Sequence, residues 1–116
     1  MHAQAITDED YTMPAFLHTV HFWLKDDLTD DEKHDVLEGI RKLAESPNVA
    51  RMSVRVPAGT PREVVDNSYD FQLVCEFDSQ ELHDAYQSPD DAVHQSFVQN
   101  YKDKWMKVLI YDSVRA

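Results

Sequence analysis

Six histidines carry most of the acid-base and metal-binding capacity of this 116-residue chain, against a single cysteine, Cys75. His18 and His21 stand three positions apart, a spacing that invites a shared ion. They fall, however, in a bulky apolar segment of strand type, where positions three apart face opposite sides of a sheet. The two imidazoles cannot easily meet one ion, and no metal site is expected. His18 shares its parity with Val20 and Phe22, so it points with them to the apolar side of that strand. A histidine in such company needs a polar partner. His34 and His83 fall on helical segments without convergent partners and read as surface residues. Cys75 alone closes no disulfide within the chain and builds no thiolate zinc site, which fits a reducing, cytoplasmic setting. His-Glu-x-x-His, Gly-x-Ser-x-Gly and glycine-rich phosphate loops are absent, and the chain has two glycines in all. Metallohydrolase, α/β-hydrolase and kinase chemistry therefore fit poorly.

The elements that must position these groups can be read from period and punctuation. Residues 1–15 show no period, carry Asp8, Glu9 and Asp10, and reach Pro14; they read as a flexible N-terminal arm, free or docked on a neighbour. Residues 16–116 have the length of one domain with one core. Phe16 to Leu24 is strand-like. Thr29 opens a helix with Glu32 at capping-box spacing, and Val36, Leu37, Ile40, Leu43 and Ala44 form its apolar stripe before Pro47 and Asn48 stop it. Met52, Val54 and Val56 alternate with polar residues in a second strand. A long connection from Pro57 to Ser68 follows, the kind that serves as a lid or stays loosely ordered. Phe71 to Phe77 is a clear third strand and Ser79 to Gln87 a short helix. Ser88 then opens another helix with Pro89 at its first position, and a last strand runs from about Met106 to Tyr111. The order β-α-β-β-α-β predicts an α+β, ferredoxin-like fold: a four-stranded antiparallel sheet with helices on one face.

Strand alternation sorts the sheet into two faces. Val20, Phe22, Leu24, Met52, Val54, Val56, Phe71, Leu73, Cys75, Phe77, Val108 and Ile110 fall on the helix side. The outer face mixes charged residues, Arg55 and Glu76 among them, with Trp23, Val74, Leu109 and Tyr111. Exposed, these would form a large apolar patch, so a second copy of the chain is the expected cover, with Arg55 and Glu76 free to pair within or across the interface. The net charge of −11 opposes binding to nucleic acid or to anionic membranes. No apolar run is long enough to span a bilayer, and no secretory leader is visible.

Four stretches together carry a resemblance: His18 to Lys25, Tyr69 to Phe77, Leu82 to Phe97, and Trp105 to Asp112. In order and spacing they resemble the stress-responsive dimeric α/β-barrel (Dabb) family, over roughly His18 to Val114. The resemblance implies a homodimeric barrel closed through the outer sheet face. Polyketide cyclases and hydroxynitrile lyases are among the family's members. In its cyclase branch a tyrosine ending the short helix and a histidine just beyond a proline do acid-base work, while a histidine at the start of the first strand lines the same pocket. The matching residues here are Tyr86, His94 and His18. Imidazole and phenol make a workable base and acid near neutral pH.

One departure matters. The family histidine stands two residues after the proline; here that position holds Asp91, and His94 comes three residues later, a displacement of about 4–5 Å along a helix. Either the preceding loop is rebuilt, or Asp91 fills the slot, or the activity is absent. Each residue also has a structural reading: Asp91 at a helix start, Tyr86 in the core, His94 on a helix flank. The leading expectation is a homodimer that binds a small aromatic or polyketide-like ligand without a cofactor. Its helix-side pocket, closed and of a few hundred Å³, would join His18, Tyr86 and His94 near Phe22, Leu73 and Phe97. Its chemistry would be that of a cyclase, lyase or isomerase. The alternatives are a non-catalytic dimeric stress or interaction protein and an oxygen-using monooxygenase of the antibiotic-biosynthesis barrel type.

Overall fold

The computed structural model describes residues 13–116. The expected N-terminal arm thus lies, up to residue 12, outside the described residues. The elements are β1 (Phe16–Leu24), α1 (Asp30–Arg41), a 3₁₀ turn (Lys42–Glu45), β2 (Arg51–Arg55), β3 (Phe71–Phe77), α2 (Gln80–Gln87), α3 (Ala92–Tyr101), a second 3₁₀ turn (Lys102–Lys104) and β4 (Trp105–Val114). The strands form one antiparallel sheet in the order β2-β3-β1-β4. No helix among the described residues is long and apolar enough to cross a membrane.

Local chemistry sets the helix limits. Thr29 accepts from the Glu32 amide at 3.1 Å and Glu32 accepts from the Thr29 amide at 3.0 Å, a complete capping box. Val36 and Ile40 of α1, with Leu43 just beyond, are buried against Phe22, Leu73 and Phe77 of the sheet. Each such side chain contributes roughly 1.5–3 kcal/mol of burial energy. Phe22, Phe97 and Trp105 form a second aromatic group, with ring centroids 5.5–6.0 Å apart. Gly39 leaves room for the Tyr101 ring: a Cβ there would lie 2.2 Å from it, so a larger residue must displace that ring. In the 57–68 connection, Gly59 takes φ +78°, and Asn67 ties the loop to the Gly59 amide and the Thr60 carbonyl.

Three elements differ from the sequence reading. Val56 falls beyond the end of β2 and is exposed, because Pro57 ends the pairing. The last strand does not stop at Tyr111. Pairing with β1 carries it to Val114, although Asp112 and Ser113 are poor strand formers alone. And α3 does not start at Pro89: Ser88 to Asp91 form a turn, closed by the Asp91 amide on the Ser88 carbonyl at 3.2 Å, and Asp91 caps the helix.

The face assignment holds along β1, where Phe16, His18, Val20, Phe22 and Leu24 are buried and the residues between them half-buried. Ile110 keeps its helix-side parity, opposite Val20, yet is 46% exposed because β4 is an edge strand that no helix covers at that level. On the outer face Leu109 and Tyr111 are exposed, and Lys107 lies 4.5 Å over the Trp23 ring. Arg55 stands opposite Gln72, and Glu76 opposite Arg51, so the sheet register keeps Arg55 and Glu76 apart within the chain.

Candidate functional site

A cavity of about 210 Å³ lies between the sheet and the helices. His18, Tyr86 and His94 all line it. Phe22, Leu73, Phe97 and Trp105 supply its apolar wall, and Gln87 and Ile110 stand at an open rim. It is open where a closed pocket was expected, since Ile110 on the edge strand and Gln87 at the end of α2 are exposed. Engineered apolar cavities of about 150 Å³ hold benzene, so this space suits one aromatic ring with a small substituent.

Each polar group arrives by a separate route. His18 is placed by strand parity and is 2% exposed. The extension of β4 sets Asp112 opposite it in register, and His18 Nδ1 lies 2.5 Å from Asp112 Oδ1. A carboxylate there fixes the tautomer with the proton on Nδ1, leaving Nε2 as the basic nitrogen. Burial lowers the pKa of His18, and the hydrogen bond and charge of Asp112 offset this only in part. His18 is thus neutral at pH 7.

Tyr86 is the next-to-last residue of α2, with its ring 6.0 Å from that of His18. It is almost wholly buried, and burial raises its pKa far above the ordinary phenol range, with the charges of Cys75 and Asp91 adding to the effect. It remains a phenol and can only donate its proton or accept through oxygen. The His94 ring lies 4.5 Å from the Tyr86 ring. The late start of α3 puts His94 in the first turn, and so brings the displaced histidine back against Tyr86. Burial lowers the pKa of His94 too, against the opposing charge of Asp91, while His18 and His83 lower it further. Nδ1 of His94 and Nε1 of Trp105 are buried without a hydrogen-bond partner.

Asp91 is not among the residues lining the cavity. It accepts from the His94 amide at 2.9 Å, from Ser46 Oγ at 2.5 Å and from Asn48 Nδ2 at 3.0 Å. Burial works to raise its pKa, but these three hydrogen bonds outweigh it and hold the carboxyl below its usual value. Its role is to cap α3 and tie that helix to the chain leaving α1.

Sequence reading missed two residues of this region. Asp112 lay beyond the expected strand end. His83, read as a surface residue, is 9% exposed: its ring stacks on Phe16 at 4.2 Å and lies 5.1 Å from that of His18. The available signal was its i, i+3 spacing to Tyr86, which puts both on one face of α2. His34 is at the surface, as expected.

The family model of the stress-responsive A/B barrel domain (Dabb) matches residues 16–115. The chain belongs to this family. Among solved structures similar to this Dabb chain is a dimeric ferredoxin-like protein of unknown function from Thermobifida fusca, 20% identical, TM-score 0.69, covering 86% of this chain and 90% of that one. A Dabb protein with a ferredoxin-like fold from Mesorhizobium loti is 24% identical with TM-score 0.67, over 87% of this chain and 96% of that one. The hydroxynitrile lyase from Passiflora edulis is 14% identical with TM-score 0.72, over 90% and 96%. At these identities the likeness of these structures to the Dabb chain is one of fold. No curated protein sequence matches the chain significantly.

Proposed function

We propose that this Dabb chain is a homodimer whose helix-side cavity binds a small one-ring aromatic or polyketide-like ligand and moves a proton on it. The observation that carries the reading is that His18, Tyr86 and His94 line one cavity. Abstracting a proton beside a carbonyl needs an unprotonated base and a donor for the oxygen that becomes an enolate. His94 is held neutral by burial and lies against Tyr86, which keeps its proton for donation. His18, oriented by Asp112, offers a second basic nitrogen. Asp112 would stabilise the imidazolium formed if that nitrogen takes up the proton. Such a pair serves an aldol-type cyclase, a lyase or an isomerase equally, and none of these steps requires a cofactor.

The dimer is supported by the exposed Leu109 and Tyr111 on the outer face and by neighbours described as dimeric. Light scattering should give twice the chain mass, and Leu109→Asp should shift it toward the monomer.

Hydrogen–deuterium exchange tests the chemistry without knowledge of the natural substrate. In D₂O, the methyl protons of a small aryl methyl ketone should exchange faster with the protein than in buffer. His94→Ala and Tyr86→Phe should each reduce that excess roughly 10²-fold or more. Exchange no faster than in buffer, or equal in the variants, would count against proton transfer in this cavity.

A further inference from the structure

Among the described residues, one nitrogen each of His18 and His83 and one oxygen of Asp112 lie within 4.8 Å of one another. These side chains come from β1, α2 and β4, so the fold brings them together from three separate segments. His83 Nδ1 is 3.0 Å from Asp84 Oδ1, which fixes the proton on Nδ1 and turns the Nε2 lone pair away from Asp84. A carboxylate behind the distal nitrogen is the usual support of a metal-bound histidine. Nε2 of His83 is buried, has no hydrogen-bond partner, and faces Asp112 Oδ2 at 3.8 Å. With the proton on Nδ1, Nε2 presents a lone pair beside the Asp112 carboxylate, an arrangement that a cation resolves.

We propose that His18, His83 and Asp112 bind a divalent transition-metal ion such as Zn²⁺ or Co²⁺ at the edge of the cavity, which shares His18 with the site. Two imidazoles and one carboxylate match the donor preference of these ions, and a fourth position is left for water. Tetrahedral bonds of about 2.0–2.1 Å set donor atoms roughly 3.3–3.4 Å apart. His83 Nε2 faces Asp112 Oδ2 at 3.8 Å and His18 Nδ1 faces Oδ1 at 2.5 Å, so the carboxylate must turn to set one oxygen at about that distance from both nitrogens, opening from His18 and closing on His83. Asp112 is the donor able to make both adjustments, because its side chain is 40% exposed while those of His18 and His83 are 3% and 11% exposed. The ion would clasp the uncovered end of β4 to α2. It would also move the His18 proton from Nδ1 to Nε2, replacing a basic nitrogen with a donor; that last consequence alone rests on the cavity reading.

The test is titration of the metal-free full chain with Co²⁺, followed by visible absorption and thermal melting. Wild type should take up one ion per chain with the strong d–d bands of four-coordinate cobalt, and Zn²⁺ should displace it and raise the melting temperature. His83→Gln and Asp112→Asn should each weaken uptake at least tenfold and abolish the thermal shift, and Asp84→Asn should weaken it to a smaller degree. Asp112→Asn, on the exposed ligand, serves if His83→Gln does not fold. No uptake by wild type, uptake with octahedral spectra only, or uptake undiminished in the variants overturns the proposal. The cavity reading is separable: His94→Ala should lose ketone exchange and keep the cobalt bands, and His83→Gln should do the reverse.

Discussion

Replacing Asp112 by alanine removes the only hydrogen-bond partner of the His18 side chain among those described, and leaves Nδ1 as a buried donor. A hydrogen bond to a charged group contributes roughly 1.5–3 kcal/mol, and loss of one partner adds the cost of the stranded one. The carboxylate is 40% exposed, so solvent screens it and water can reach the vacated site. The net cost is about 1–2 kcal/mol. For a domain of this size that lowers the melting temperature by roughly 4–15 °C. Asp112→Asn keeps an acceptor for the Nδ1 proton and loses only the charge, so it should cost about half as much. Thermal unfolding followed by circular dichroism at pH 7.5, with chelator present, measures both. A melting temperature for Asp112→Ala within about 2 °C of wild type, or equal losses in the two variants, would refute the pairing as the support of His18.

Other outcomes follow from the same contacts. The lowered pKa of His94 means that the unfolded chain, titrating near 6.5, takes up a proton before the folded one does. Its contribution is intact above that value and lost as pH falls through it toward the folded value, so His94→Gln should flatten the fall in stability below about pH 6.5 in urea titrations. The Cys75 thiol is buried and pushed up to about 12 by burial, with Glu76 adding to it. A thiol reagent should therefore label it only at the rate of unfolding. Asp91→Ala removes a helix cap and the ties to Ser46 and Asn48, and should cost about 1–3 kcal/mol by chemical denaturation, while Asp91→Asn retains much of the cap.

The fold was legible because its signals are local. Alternation in Phe71–Phe77, the Thr29–Glu32 capping box and the parity of Phe16–Leu24 each need only a few neighbouring residues. What stayed hidden depends on partners distant in sequence. Asp112 belongs to a strand only because β1 pairs with it, 94 positions away. His83 shares a face of α2 with Tyr86, but the Phe16 and His18 rings that it packs against come from β1, far away in sequence. The start of α3 turned on a choice between Ser88 and Asp91 as cap. Bonds from Ser46 and Asn48 to Asp91, from another part of the chain, favour the later start, and the place of His94 follows from it.

The most direct measurement is imidazole nitrogen NMR during titration with a one-ring ligand such as 4-hydroxyacetophenone. The ring nitrogens of His18 and His94 should shift together and saturate at one ligand per chain, with those of exposed His34 unmoved. Tyr86→Phe should weaken that binding. No saturable shift at either residue, or shifts at His34 or His21 while His18 and His94 stay still, would contradict a ligand-binding acid-base cavity.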